Sequence, residues 1–159
     1  HCYWKDLAHV PIDRLEEFEK FELTLGDFVL SLDRPIINSG LKLARISERD
    51  LPCLLVQRVA RVSPSPGSVT PDYLFLWFNS PAFTKTIDPG RSYGVPHIST
   101  KQVAGIPFVR FSINEQHRIV AKVDELMALC DRLEADLVES RNRQERLAAT
   151  LIDAALQAA

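Results

Sequence analysis

The sequence predicts an α+β protein, in which a small mixed globular domain over residues 1–111 is followed by a long C-terminal α-helix over residues 112–159. Short runs typical of strands and brief helices, separated by turns rich in Gly and Pro, fill the first part. One apolar ladder with helical spacing fills the second part. Hydrophobic residues make up 46% of the 159 residues and charged residues 25%, which is typical of a folded globular protein.

The strand signals lie in the first half of the chain. Residues 28–32 follow a Gly-Asp turn, and residues 41–46 alternate between apolar and polar side chains as a strand does. Residues 54–62 predict a longer strand that ends at a run of Ser, Pro and Gly. Residues 34–40 predict a loop, and residues 10–23 have no clean period, so that either a loop or a short helix is expected there.

Hydroxyl and proline residues mark the starts of short helices. Thr70-Pro71 is an N-cap followed by Pro at the first helical position, which predicts a short buried helix through residue 78. Ser80-Pro81 repeats this pattern for a helix to about residue 87. Ser99 and Gln102 form a small capping box before a short helical turn, and residues 106–110 predict a final strand or extended segment.

The C-terminal segment carries apolar side chains in alternating steps of four and three, after a capping box at Ser112 and Glu115. A 3.5-residue repeat keeps an apolar stripe against one partner helix. A helix on the order of 70 Å cannot be covered by a domain of roughly 110 residues with a radius of gyration near 13 Å. We therefore expect a coiled-coil spacer or dimerisation helix, rather than a core helix of its own domain. Its predicted interface residues are Ile119, Val123, Leu126, Cys130, Leu133, Leu137, Leu147 and Leu151.

Two polar residues, Ser140 and Gln144, occupy seam positions in the gap of this ladder. They mark a bend in the helix, or they fix the register of a helix pair, and the sequence does not separate these alternatives.

The charge of the chain is unevenly distributed. Residues 23–111 hold ten Lys and Arg against six Asp and Glu, whereas residues 112–159 hold six against nine. A mildly basic domain beside an acidic helix is compatible with binding a polyanion through the domain alone. The three cysteines are far apart without zinc spacing, and no run of about 18 apolar residues exists, which predicts a reduced cytoplasmic protein without a membrane span. The chain begins without Met or a signal-peptide pattern, and we expect it to be truncated.

Catalytic signals are weak. The chain has no Walker-type glycine loop. Asn79-Ser80-Pro81 is the string nearest to a methyltransferase motif, but it lacks a second Pro and an aromatic residue, and we interpret it as a helix cap. A catalytic role for Cys53 beside His97 stays open, but the favoured interpretation is that Cys53 is a buried cysteine in a strand. Four aspartates lack the spacing of a nuclease site: Asp27, Asp33, Asp50 and Asp72.

Several motifs together suggest a family. They are the loop at 90–99, Ile106-Pro107, the Glu-Gln-x-x-Ile-Val string at 115–120 and the helix at 126–134, with weaker matches at 25–31 and at Tyr73-Leu74. Residues 98–137 resemble the end of a target-recognition domain that runs into the spacer helix of a type I restriction–modification specificity (S) subunit. Two features depart from the family: residues 111–114 replace a Pro-rich string, and the chain has one recognition domain and one spacer helix instead of two. We therefore expect a fragment, or a half-subunit that dimerises.

The resemblance implies a DNA-binding subunit without catalytic residues, cofactor or metal. Such subunits read one half of a bipartite target in double-stranded DNA with each recognition domain, and their helices form an antiparallel coiled coil. They dock methyltransferase (M) subunits, which methylate adenine with S-adenosylmethionine, and through them the restriction (R) subunit. The second spacer helix would come from the same full-length chain or from a homodimer partner. The alternative function is a non-enzymatic protein-interaction module that dimerises through the coiled coil.

The loops at 33–42 and 88–101 are the expected DNA contacts. Arg and Asn suit bidentate base contacts, Lys suits phosphate, and Gly90 and Gly94 allow the backbone to approach DNA closely. Ordinary solvated loop residues are the alternative for each position, with His97 capping a turn. The candidate DNA-binding residues are Arg34, Asn38, Lys42, Lys85, Arg91, Ser92, Tyr93, His97 and Lys101.

Overall fold

The computed structural model describes residues 8–38, 40–87 and 97–157. Contacts divide the chain into two units, His1–His117 and Arg118–Ala159. As predicted, the fold is mixed, with small β-sheets and a long C-terminal helix. None of the helices in the described ranges is both long enough and apolar enough to cross a membrane.

A three-stranded antiparallel sheet forms the centre of the first unit. Strand β1 (Phe28–Ser31) lies between β4 (Leu43–Arg45) and β5 (Val59–Val62). Phe28 and Leu30 of β1 alternate with more exposed neighbours and are fully buried, so one face of the sheet carries the core. The strand predicted at 28–32 is confirmed.

The prediction of a plain loop at 34–40 is wrong. Strands β2 (Ile36–Ile37) and β3 (Gly40–Leu41) form a two-stranded antiparallel hairpin there. The β-branched isoleucines favour extended backbone, and Gly40 accommodates a φ of +109° that other residues rarely adopt. The predicted strand at 41–46 is accordingly divided at Lys42, whose amide donates to the Pro35 carbonyl over 2.7 Å.

The strand predicted at 54–62 is much shorter than expected. Leu54 forms an isolated bridge with Glu22, and regular pairing begins only at Val59. Arg58 interrupts the run because its φ of +60° is incompatible with a strand. The Arg58 carbonyl instead accepts from the Leu32 amide over 2.8 Å, so a tertiary contact outweighs the local preference.

The caps predicted from sequence start the short helices. In α1 (Pro71–Asn79) the Thr70 hydroxyl accepts from the Tyr73 amide over 3.3 Å, and α3 (Thr100–Ala104) has the Ser99–Gln102 capping box. Helix α2 (Pro81–Thr84) ends before the predicted residue 87, because bonds to the Phe83 carbonyl tighten the following turn. Residues 106–110 are irregular rather than a strand.

The described part of the first unit also contains two 3₁₀ helices. Ile12–Phe21 resolves the choice left open between loop and short helix. Glu48–Asp50 was not predicted, although Ser47 and Asp50 form a capping box that the sequence displays.

Aromatic side chains fill the core between the sheet and the short helices. Phe78 is fully buried, and its ring centroid lies 5.7 Å from that of Phe28 and 5.0 Å from that of Phe83. Trp77 meets Phe108 edge to face at 5.0 Å. Such offset and edge contacts add to the stabilisation from apolar burial.

Helix α4 (Ile113–Gln157) has 45 residues, about 70 Å at 1.5 Å per residue. Its start is capped by the Ser112 hydroxyl, which accepts from the Glu115 amide over 3.3 Å. Gln116 in the first turn is fully buried within the first unit. The long C-terminal helix predicted from residue 112 onward is therefore confirmed.

Candidate nucleic-acid interface

Asp33 begins the first predicted DNA-contacting loop and is held from several sides. The Ser31 hydroxyl and the Lys42 ammonium donate to its backbone carbonyl over 2.8 and 2.5 Å. Its carboxylate accepts from Arg58 Nη1 over 2.7 Å and is in close contact with Nδ1 of His97. The position of this carboxylate is thus fixed by both its own loop and its neighbours.

His97 stands at the boundary of the second predicted loop. It forms a β-bridge with Asp33, and the next residue, Ile98, donates its amide to the Leu32 carbonyl over 2.9 Å. The structure therefore brings one end of the 88–101 segment against the start of the 33–42 segment. We call Asp33, Arg34, Lys42, Arg58 and His97 the Asp33 cluster.

In the Asp33 cluster a partly exposed carboxylate lies beside a basic side chain, and this contact changes the pKa values of both groups. The hydrogen bond from Arg58 is the main cause that lowers the pKa of Asp33, opposed by partial burial and supported by His97. The same hydrogen bond raises the pKa of Arg58. Asp33 stays ionised at neutral pH, and the cluster retains an excess of basic side chains.

The other candidate residues are placed as follows. Arg34 is exposed with a left-handed φ of +44°, and Asn38 is exposed in the turn of the β2–β3 hairpin. Lys42 braces the loop through the Asp33 carbonyl. Lys85 after α2 and Lys101 in α3 are exposed on separate elements. Outside the described residues lie Arg91, Ser92, Tyr93, Gly90 and Gly94.

The sequence did not predict a role for Arg58, and Asp33 was considered only as one of four aspartates that lack the spacing of a nuclease site. Arg58 lies in a run that has the composition of a continuous strand, with no Gly, Asn or Pro to indicate a turn. A left-handed arginine is uncommon, and the sequence carries no signal for it.

Two residues considered as catalytic candidates, His97 and Asn79, have the following contacts in the structure. His97 is paired with Asp33, and Asn79 ends α1 with its amide on the Phe75 carbonyl over 2.8 Å, as expected for a helix end. No group of three His, Cys, Asp or Glu within residues 8–38, 40–87 and 97–157 is placed to hold a metal ion.

An apolar groove of about 450 Å³ lies beside β5 within the first unit. Its walls come from β5, α1 and α3 and include Trp77, Val103 and Phe108. Arg61 is its one charged wall residue among the described positions, and its guanidinium donates to the Glu22 carbonyl over 2.8 Å. The groove has the chemistry of a packing surface rather than of a polyanion site.

The second predicted site is the ladder of α4. Ile119 and Val123 are half-buried, whereas the leucines further along are exposed, from 48% at Leu126 to 71% at Leu137. Ion pairs Lys122–Glu125 and Arg143–Glu139 lie within the helix at 2.9 and 2.5 Å. The remaining predicted interface residues, all exposed, are Cys130, Leu133, Leu147 and Leu151.

Comparison with known proteins identifies relatives of this chain. It is 48% identical over 153 residues to the type I restriction enzyme EcoAI specificity subunit of Escherichia coli, a match that covers 96% of this chain and 26% of that protein. It is 27% identical over 146 residues to the MjaVIII specificity subunit of Methanocaldococcus jannaschii, covering 90% of this chain and 32% of the relative. The EcoBI specificity subunit of Escherichia coli is 26% identical over 108 residues, which is 67% of this chain and 23% of that protein.

No protein-family model matches the chain. The chain spans between 23% and 32% of the length of these three relatives, whose shared description agrees with the resemblance found in the motifs. By these matches the homologues of this chain are type I restriction enzyme specificity subunits, and the chain corresponds to one segment of their longer sequences.

Proposed function

We propose that this chain is a non-catalytic, sequence-specific DNA-recognition segment of a type I restriction–modification enzyme, which reads one half of a bipartite target. The observation that carries the proposal is the 48% identity to a specificity subunit across 96% of the chain. The Asp33 cluster supports it, because a basic, solvent-facing cluster joins parts of both loops expected to contact DNA.

Salt dependence of DNA binding tests this proposal. A chain that makes six to ten phosphate contacts loses roughly 10³- to 10⁵-fold in affinity between about 50 and 200 mM salt. We expect binding of double-stranded DNA with a steep slope, measured by fluorescence anisotropy on labelled duplexes. No binding, or an affinity that does not respond to salt, would favour a protein-interaction module instead.

The non-catalytic role has its own test. When DNA is incubated with the chain and labelled S-adenosylmethionine, we expect no transfer of methyl groups. When methyltransferase subunits are added, we expect methyl transfer at the target. Co-purification of those subunits with the chain would support docking. Methyl transfer by the chain alone would contradict the proposal.

Helix α4 acts, in this proposal, as a spacer that pairs antiparallel with a second helix, from a longer chain or from another copy. Exposed leucines in a 3.5-residue ladder favour a helix partner, since water contact with so many large apolar side chains is unfavourable. About 70 Å of helix is enough to separate two DNA readers by one or two helical turns of about 34 Å each.

A matched pair of substitutions tests the pairing. Leu133→Asp places a charge on the ladder, whereas Ala135→Asp places the same charge two residues away, off the ladder, at an exposed position. At tens of micromolar we expect the unsubstituted chain and Ala135→Asp to self-associate in sedimentation, and Leu133→Asp to be monomeric. Self-association of both variants to the same extent would contradict pairing through this ladder.

Spin labels test the direction of the pair. Single labels at Lys122 and at Arg146, measured in separate samples, would both give short distances between copies in a parallel pair. An antiparallel pair cannot bring both like ends together, so at least one of these distances is expected to be long.

A further inference from the structure

Arg58 has a guanidinium edge that contacts none of the described residues through a hydrogen bond. Its side chain is 67% exposed, and Nη1 donates to the Asp33 carboxylate over 2.7 Å. For Nε and Nη2 the described part of the chain records no hydrogen-bond partner. Because a guanidinium is planar, fixing Nη1 leaves two parallel N–H groups on the Nε–Nη2 edge, in the geometry that matches two acceptors side by side.

The backbone at this place is unusual as well. Arg58, which contacts the Asp33 carboxylate, and Arg34, which follows Asp33 in the chain, both have left-handed φ values, of +60° and +44°. The bond from the Leu32 amide to the Arg58 carbonyl and the pairing of Val59 with Ser31 hold the Arg58 backbone in place. Residues held in rare backbone conformations by their surroundings cluster at functional sites.

The chain contains a second exposed Arg–Asp pair, and the two differ in how the carboxylate is held. Arg45 and Asp72 meet at 2.8 Å, with Arg45 in the regular strand β4 and Asp72 in the first turn of α1. Asp33, in contrast, also contacts His97 through its carboxylate and accepts two further bonds on its carbonyl. Of these two pairs, that of Asp33 therefore has the carboxylate with the more fixed position, which suits it to support an arginine fork.

We propose that Asp33 positions Arg58 to read a guanine in the major groove, so that Arg58 determines specificity and Asp33 is its positioning residue. The O6 and N7 acceptors of guanine match a guanidinium edge, and this is the commonest specific base contact of arginine. The inference rests on the proposed DNA-recognition function and adds a base-reading residue to it.

Selection of bound duplexes from a random double-stranded DNA pool, with the full chain at fixed salt, tests the proposal. We expect the unsubstituted chain to enrich a site that contains guanine, and Arg58→Ala to lose the preference at one guanine. Replacing that guanine in the site is expected to weaken binding by the unsubstituted chain roughly tenfold to hundredfold, and to leave Arg58→Ala unaffected.

Arg58→Lys separates base reading from charge and from folding. Lysine keeps the positive charge but lacks the planar fork. We expect Arg58→Lys to lose the guanine preference while its affinity for random DNA and its salt slope stay unchanged. Asp33→Asn should weaken the same preference, and the matched variants Arg45→Ala and Asp72→Asn should leave the selected site unchanged.

The outcomes distinguish the two proposals. If the unsubstituted chain selects a site and Arg58→Lys selects the same one, Arg58 does not read a base, whereas the DNA-recognition function stands. A selected site without guanine overturns the inference in the same way. If the unsubstituted chain selects no site at all, the DNA-recognition function falls and the inference falls with it.

Discussion

Gln116 is a buried polar side chain whose loss is expected to destabilise the first unit. It is fully buried, and each of its amide atoms is used. Oε1 accepts from the Thr70 amide over 2.8 Å, and Nε2 donates to the Ser68 and Phe111 carbonyls over 2.7 and 2.9 Å. The side chain thus ties the first turn of α4 to the segment that caps α1.

The size of the effect follows from these three bonds. A hydrogen bond contributes about 1 kcal/mol net, so Gln116→Ala is expected to lower the free energy of unfolding by about 3 kcal/mol. The three partners are on segments that are half-buried or exposed, so water can satisfy part of what is lost and the upper end of the range does not apply. For a chain of this length the melting temperature should fall by roughly 10 °C.

Thermal and urea unfolding, followed by tryptophan fluorescence and circular dichroism, measure this loss. Gln57→Ala is the matched control, because Gln57 is an exposed glutamine of the same unit, and a change within about 0.5 kcal/mol is expected. Gln116→Glu keeps the size but replaces a donor with an acceptor facing two carbonyls, so it should destabilise more at neutral pH than at acid pH. A loss below about 1 kcal/mol for Gln116→Ala would refute the reasoning.

Two further predictions concern the core and the Asp33 cluster. Phe78→Ala should cost about 3–5 kcal/mol in urea unfolding, because a fully buried ring leaves a cavity, whereas Phe75→Ala, at a ring that is 47% exposed, should cost clearly less. The pKa of Asp33, followed by NMR titration, should lie below that of an aspartate in the unfolded chain, because Arg58 donates to its carboxylate, and it should rise in Arg58→Ala. Because folding lowers the pKa of Asp33, the stability that Asp33 contributes is present above its unfolded-state pKa and is lost as the pH falls through its folded-state pKa. If the titration of Asp33 were unchanged in Arg58→Ala, the contact with Arg58 would not be the cause of the lowered pKa.

Local signals in the sequence were sufficient for the helix starts. The capping bonds at Thr70 and in the Ser99–Gln102 box join residues three positions apart, so neighbours in the chain determine their geometry. The same holds for the start of α4 after Ser112, and the long apolar ladder made its helical character evident.

Contacts between distant segments explain what the sequence did not reveal. Arg58 meets Asp33 across 25 positions, and Asp33 meets His97 across 64. No periodicity or turn residue reports such a contact, and the strand composition of residues 54–62 favoured an extended backbone that the Leu32–Arg58 bond overrides. For the same reason both loops could be identified as candidates while the carboxylate that joins them was not.

A carboxylate is unfavourable in a surface that binds DNA, because it repels phosphates. In the proposed DNA contact this repulsion would have a use, since the Asp33 carboxylate beside Arg58 disfavours a backbone phosphate at this point, whereas a guanine edge presents no such charge. Asp33→Asn is therefore expected to bind random DNA severalfold more tightly while the ratio of specific to random affinity falls. Anisotropy titrations on the selected site and on a shuffled duplex measure both quantities, with Asp72→Asn as the control that removes a carboxylate outside the cluster. A parallel gain in both affinities for the two variants would mean that Asp33 acts through net charge alone, without discriminating bases from phosphates.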